Sequence, residues 1–436
     1  MNSTKQELLQ FVEDHGVRFV DLAFCDLFGR QKVITIMTDE LPRAFEYGIS
    51  FDGSAIEGYS TVEQSDLFLM PDSSTVALVP EVLSGSTNKS MRMFCYVMKP
   101  DGTPFEADPR AILRGAVGKA AAEGYICRVG AECEFYLLQT NDQGEPKLLP
   151  MDRGTYADIG PLDQGGALRR EICCLLSDLG MKPESAHHER GAGQHEVDFR
   201  YSDALLAADS VLTFKWLVKT VAAGHRLFAS FLPKPFAEDS GNGMHINLSL
   251  ARGGKNLFQT GGENHNRNVE SFIQGILDHA AEITAFLNPI PNSYRRLGAF
   301  EAPRYVTWSH QNRSQLVRIP ASAGEFSRME LRSADPVCNP YLALALLIAA
   351  GLEGVQQQKV LSAPCERNLY EPGAGAGLQM LPQTLEEAVS LAEESELIKN
   401  VLPETVRETY LKRQRELWNL FKESPEEEVQ YFLPFC

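Results

Sequence analysis

VGAECEFYLL, residues 129–138, reads as a buried strand with two acids inside it. Side chains alternate faces along a strand, so Glu132 and Glu134 point to one side and Cys133 and Phe135 to the other. Two like charges a few ångströms apart on a largely buried surface disfavour each other unless something neutralises them. An apolar back and an acidic front imply a sheet with one face in the core and the other walling a polar cavity.

The same period-two test extends the pattern. In GNGMHINLSL (241–250), His245, Asn247 and Ser249 share one face, while Met244, Ile246, Leu248 and Leu250 form the apolar other. In SRMELRS (327–333), Arg328, Glu330 and Arg332 oppose Met329 and Leu331. AHHERGAGQHEVDF (186–199) places Glu189 before a Gly-rich bend and Glu196 in a short strand. Taken singly, each Glu is an ordinary solvated residue, His245 a satisfied core histidine and His187-His188 a surface turn. Gly241-Asn242-Gly243 is equally a plain hairpin turn. Their shared faces point instead to a polar pocket holding a cation. Five Glu and one His suit a hard divalent ion such as Mg²⁺ or Mn²⁺ better than zinc, and the ion would keep both carboxylates charged. Arginines on the same side would bind phosphates or substrate carboxylates. Spacing alone goes no further.

A chain of 436 residues is long enough for two or more domains, and 44% hydrophobic with 23% charged residues is ordinary for a globular enzyme. A net charge of −17 argues against nucleic acid or an anionic membrane as partner. Nine cysteines without a CxxC pair, several in apolar runs such as LRREICCLL, read as reduced core thiols. The N-terminal MNSTKQELLQFVEDHG lacks the apolar segment of a secretory signal, and the apolar run Tyr341–Leu352 is too short for a bilayer, so the expected compartment is the cytoplasm.

The first hundred residues read as β-rich: a helix near Lys5–His15, then VRFVDLAFCDLFG and QKVITIM as a hairpin turning at Phe28-Gly29-Arg30. In KPDGTPFEADPRAILRGAV a Pro/Gly-rich connector reaches Asp108-Pro109, the order of an N-cap and first helical residue, opening a helix over Pro109–Glu123. Helices are expected over Gly166–Gly180, Asp203–Phe228, Val269–Asn288 and Pro340–Gln358, and strands over HEVDF, MHINLSL, LVRIP and RMELRS. This is an α+β chain with a sizeable sheet. Leu385–Phe421 reads as amphipathic surface helices, and the apolar tail QYFLPFC is expected to dock, on another subunit or elsewhere.

Ten blocks in order carry a resemblance over almost the whole chain. They are FDGSAIEGY (51–59), SDLFLMPD (65–72), DGTPFEADPR (101–110), GAECEFYLL (130–138), HHERGAGQHEV (187–197), FLPKPFAEDSGNGMHINLSL (231–250), NPIPNSYRRL (288–297), EAP (301–303), NRSQLVRIP (312–320) and RMELRSADPVCNPYLA (328–343). The chain resembles the type I glutamine synthetases. The resemblance implies a β-grasp-like domain (1–103) and a catalytic domain (104–436) with a curved antiparallel sheet flanked by helices. It also implies a homo-oligomer, a dodecamer of two hexameric rings with active sites between subunits.

The implied reaction uses ATP to phosphorylate the side-chain carboxylate of glutamate, after which ammonia displaces phosphate to give glutamine. Glu134, Glu189 and Glu196 would hold a metal on the glutamate side; Glu132, His245 and Glu330 would hold the one bridging the ATP phosphates. Arg313 would steady the transferring group, with Asn247, Ser249, Arg318 and Arg328 at the nucleotide. Arg296, Arg332 and the backbone of Gly241 would hold glutamate. Asp52 from the adjacent subunit and Glu301 on a covering flap would bind ammonium and remove its proton. Four departures touch nucleotide, glutamate or amine recognition: Ala55, Asn247 and Ser240 replace Ser, His and Asn, and the flap segment LGAF before Glu301 is one residue short. Two other readings therefore stand beside glutamine synthesis: a ligase joining glutamate to a polyamine or ethanolamine, and a non-catalytic relative. Tyr370 matches a position adenylylated in some members, but the extra segment of that subgroup is missing.

Overall fold

Asp26 makes the first hairpin. Its carboxylate accepts the backbone N–H groups of Phe28 (3.0 Å) and Arg30 (2.8 Å), and Gly29 takes the positive φ of +83° that the turn requires. In the computed structural model, which describes residues 5–259 and 265–436, this turn joins the antiparallel strands Phe19–Cys25 and Gln31–Met37. Phe19–Cys25 also pairs in parallel with Ser90–Met98, which continues through Asp66–Pro71 to Ile49–Asp52; Ala77–Val79 completes the six-stranded sheet. Alternation along Phe19–Cys25 serves two cores. Val20, Leu22 and Phe24 pack with Leu8 and Leu41 of the small domain, while Ala23 and Cys25 join the core of the larger one.

The junction is pinned by charge. Asp108 caps the helix Pro109–Ala122 through the N–H of Arg110 (3.0 Å) and also accepts Val97 N–H (3.1 Å), tying helix to sheet. Arg110, 2% exposed, reaches Asp209 through Nε (3.0 Å) and Nη2 (2.9 Å), and Asp72 through Nη2 (2.9 Å). One guanidinium thus joins three segments far apart in sequence.

The larger sheet is built on Tyr125–Thr140, the strand containing the opening acids. It pairs with Met244–Arg252 along one edge and Gln194–Phe199 along the other, and the order beyond Met244–Arg252 runs through Met329–Leu331 and Val317–Ile319 to Trp308–His310. Pairing along this path is antiparallel, as expected, with one parallel pair at its edge, Trp308–His310 with Val317–Ile319. Cys133 and Phe135 are fully buried behind the sheet, Phe135 against Phe214 of the helix Ala204–Gly224, as alternation requires. Burying each such aromatic or aliphatic side chain contributes about 1.5–3 kcal/mol. No helix among the described residues is long and apolar enough to cross a membrane.

Two expectations need correction. The helix read over Asp203–Phe228 is Ala204–Gly224: Arg226 adopts φ +58° and the chain re-enters the sheet as Leu227–Ser230. Cys173 is half-buried and Cys174 exposed, because Leu168, Ile172, Leu175 and Leu176 occupy the inward stripe of Gly166–Asp178 at helical spacing. None of the nine thiols forms a disulfide. The apolar tail docks as expected, and does so against its own chain: Phe432 and Cys436 are buried, Leu433 packs with Tyr136 and Leu138, and Glu428 pairs with Arg295 at 2.8 Å.

Candidate active site

Register assembles the acids. Along Tyr125–Thr140, Glu132 lies opposite His245 on one side and Asp198 on the other, and Glu134 lies opposite Glu196. Their side chains wall a cavity of about 680 Å³ that also collects Glu189, Gly241, Arg296, Glu301, Arg313, Arg318, Arg328 and Arg332. Glu330 stands at its back, 2% exposed, with Arg318 and Arg332 each 2.5 Å away and His245 Nδ1 at 3.7 Å. Ser249 lines a smaller adjoining cavity of about 250 Å³ that shares Glu132, Asp198 and Arg328 with the first. Asp52 is exposed and lines neither; its carboxylate accepts the backbone N–H (2.9 Å) and hydroxyl (2.6 Å) of Ser54.

The two ends of the acid cluster differ electrically. Burial pushes Glu132 up, but hydrogen bonds from His245 and Asn247 outweigh it and bring it down to about 2. Glu330 is also lowered: Arg332 and His245 overcome its burial. At the other end burial, followed by the charge of Glu134, drives Glu189 up to about 8. Glu196 rises well above the carboxylate range through burial and the neighbouring Asp198 and Glu134. Asp198 Oδ1 is buried without a hydrogen-bond partner. Two ligand sets, Glu132–Glu196–His245 and His187–Glu189–Glu196, bring donor atoms within 4.8 Å of one another. Acids crowded until they retain protons, an orphaned carboxylate oxygen and an oxygen-rich donor set fit a hard divalent cation.

Neighbouring residues hold these groups still. Gly243 N–H donates to Glu134 at 2.6 Å, and Gln194 bridges Glu134 (3.4 Å), the Gly241 carbonyl (3.1 Å) and Asn242 (3.1 Å). A Cβ on Gly241 would fall 2.5 Å from the Pro233 carbonyl, so that position needs glycine, and one on Gly243 would fall 2.5 Å from Arg296 Nη2 and displace the guanidinium. The Arg296 guanidinium donates to the carbonyls of Ser333 (2.7 Å) and Arg332 (3.1 Å). Glu189 is anchored from beneath: His188 is fully buried, with one ring nitrogen 2.6 Å from the Glu189 carbonyl and the other 2.9 Å from Asp152. His187-His188 is therefore no surface turn.

The departures have visible contacts. Asn247 donates to Glu132 (2.8 Å) and accepts from Arg328 Nε (2.7 Å), linking a candidate ligand to a candidate nucleotide arginine. Ser240 Oγ lies 3.2 Å from Glu301, whose carboxylate also pairs with Arg190. The Tyr370 hydroxyl donates to the Glu301 carbonyl at 2.8 Å or to that of Arg313 at 2.7 Å, tying together the segments that carry the two residues. Asp198, His187, Gln194 and Asp152 escaped sequence reading. Asp198 was accessible to it, since it shares the Glu196 face two residues on.

The family model for the glutamine synthetase catalytic domain matches residues 106–431, and that for the glutamine synthetase β-grasp domain matches 16–100. "Glutamine synthetase" of Clostridium saccharobutylicum is 39% identical over 426 residues, covering 96% of each chain. That of Staphylococcus epidermidis is 39% identical over 427 residues, covering 96% of this chain and 95% of its own. Among solved structures, one described as "GmaS/ADP complex-Conformation 1" superposes with a TM-score of 0.87 at 31% identity, covering 98% of this chain and 99% of that one. With both domain models matched in order and the relatives aligned nearly end to end, this chain belongs to the glutamine synthetase family.

Proposed function

We propose that this carbon–nitrogen ligase couples ATP cleavage to the ligation of ammonia onto the side-chain carboxylate of L-glutamate, giving glutamine, ADP and phosphate through γ-glutamyl phosphate. The observation that carries this reading is a cavity where two acid clusters, one holding Glu132 and the other Glu134 of the same strand, are gathered from paired strands with arginines in the same lining. Glu132, His245 and Glu330 would hold one divalent cation and Glu134, Glu189 and Glu196 another, either Mg²⁺ or Mn²⁺. Such ions supply charge stabilisation for phosphoryl transfer.

The protein's own groups do the rest. Asn247, Ser249, Arg318 and Arg328 hold the nucleotide end, while Arg296, Arg332 and the Gly241 backbone hold the glutamate carboxylate and amine. Arg313 supplies positive charge to the phosphoryl group as it moves. Glu301, on the flap, covers the acyl phosphate against water and accepts a proton from ammonium. Ammonium is not a nucleophile until it loses that proton. Asp52 serves the same purpose for a neighbouring copy, which its exposure and its absence from the cavity lining of its own chain support. A boundary at 103/104 then separates the β-grasp domain from the catalytic one. The assembly that follows is a homo-oligomer, a dodecamer of two hexameric rings.

A phosphate-release assay with glutamate, ATP and a panel of amines tests the acceptor. Ammonium is expected to be the best acceptor, and Asp52→Ala to impair its use far more than ATP binding. Turnover with ethanolamine or a diamine but none with ammonium would overturn the reading.

Metal dependence has a pH signature. Without metal, Glu189 keeps its proton in the folded chain up to about 8, whereas an unfolded Glu loses it near 4.5, so stability falls as pH rises between those values. Metal binding must displace that proton, so stabilisation by saturating Mn²⁺ should grow as pH rises from about 5 to about 8 and level off above that. Thermal melts with Mn²⁺ and with chelator measure this. A metal-induced shift that is flat across the window counts against Glu189 as a ligand.

A further inference from the structure

A second cavity of about 690 Å³ shares no lining residue with the first. It lies between the N-terminal hairpin, the helix Ala204–Gly224 and the C-terminal Pro434 and Phe435. Five cationic side chains line it (Arg30, Lys32, Arg92, Lys215 and Lys219) and one carboxylate, Asp21, which is engaged by the Thr35 hydroxyl at 2.6 Å. Its apolar wall includes the Trp216 and Phe435 rings, and Phe435 is half exposed.

Arg92 is the anomaly. It is 6% exposed, and among the described residues no carboxylate comes within ion-pair distance of it. Its Nε and Nη1 have no hydrogen-bond partner, and neither does the buried Ser90 Oγ beside it in the cavity wall. The guanidinium packs between the rings of Phe94 (4.8 Å) and Trp216 (5.6 Å). Burial lowers its affinity for the proton to about 10. Asp209 and Asp21 act on it only from beyond ion-pair distance, and a buried cation without a paired anion is unfavourable, whereas Arg110, equally buried, has two carboxylates in contact. The other cations have only partial partners: Lys32 lies 3.5 Å from Asp26, Arg30 lies 3.8 Å from Glu57, and Lys215 and Lys219 donate to backbone carbonyls.

We propose that this cavity binds a small organic oxyanion, its carboxylate or phosphate facing Arg92 and its flat apolar body lying against Trp216 and Phe435. Oxyanions match the guanidinium and ammonium donors, and the aromatic walls select a ligand with an apolar surface to bury. Because the cavity joins the N-terminal sheet to a helix of the catalytic domain, occupancy would bear on how the two domains sit together.

The test titrates the full chain, with ADP saturating the nucleotide site, and follows tryptophan fluorescence. The probes are phenyl phosphate and benzoate, with phenol and inorganic phosphate as the separate halves. Saturable quenching is expected with phenyl phosphate or benzoate, which also separates a phosphate head from a carboxylate. Phenol is expected to bind at least about tenfold more weakly, and the signal should vanish in Trp216→Phe. Arg92→Met should weaken binding about tenfold at an unchanged melting temperature. If Arg92→Met does not fold, the surface pair Arg30→Gln and Lys32→Gln decides, with weaker binding supporting the site and unchanged affinity overturning it. Absence of saturable binding to the wild type, or equal binding of phenol, also overturns it.

Discussion

Glu132→Ala is expected to reduce ATP-dependent phosphate release by about 10³-fold or more, roughly 4 kcal/mol of transition-state stabilisation. Glu132 is held ionised by His245 and Asn247, and Asn247 in turn holds Arg328. Truncation therefore removes a candidate cation ligand and releases the arginine at the nucleotide end. Glu132→Gln separates these effects: the amide oxygen still accepts from Asn247, but the charge is gone. If charge on the cation is what matters, the two variants lose similar activity at any ammonium concentration. If Gln restores most of the rate, Glu132 acts by positioning Arg328. Near-normal phosphate release in both variants would remove Glu132 from the metal site. Circular dichroism and melting temperature check that the fold persists.

The second large effect is on stability. Arg110→Met should destabilise the chain by about 3–5 kcal/mol, because it leaves Asp209 buried and Asp72 largely buried without their cation. Methionine keeps most of the stem volume, so the loss reports the charge rather than a cavity. Tyr341 donates to Asp209 at 2.5 Å, but one neutral hydroxyl does not replace a guanidinium bonded through two nitrogens. Urea unfolding should show a lower midpoint. A loss below about 1 kcal/mol would mean that water or local rearrangement satisfies the carboxylates. Combining Arg110→Met with Asp209→Asn should recover part of the loss, since the change that strands the charge is itself reversed.

Much of the site was legible one strand at a time. Glu132 and Glu134 facing away from Cys133 and Phe135 is a consequence of backbone geometry that needs no partner. The same holds for His245 with Asn247 and for Glu330 between Arg328 and Arg332. The helix opening at Asp108-Pro109 was equally local, since a cap bonds its own first turn. Asp198 obeys the rule that marks Glu196, since it lies two residues on along the same strand face. The helix running on to Phe228 was misread because nothing in the composition of AAGHRLF marks the left-handed Arg226 that ends it.

Asp152 beneath His188 could not be read, because 36 residues separate two groups that meet only after folding. Nor could the tail's choice of its own chain, or the Arg110 bridge to Asp72 and Asp209. What the sequence by itself determined is which side chains share a face, since alternation and capping are short-range properties of the backbone. What only the tertiary structure decided is register and docking: that Glu132 lies between His245 and Asp198, that Glu134 meets Glu196, and that Arg92 is buried without an anion. Those depend on hydrogen-bond pairing between distant strands and on which apolar faces close on one another. Both are fixed by the free energy of the whole core and by no single segment.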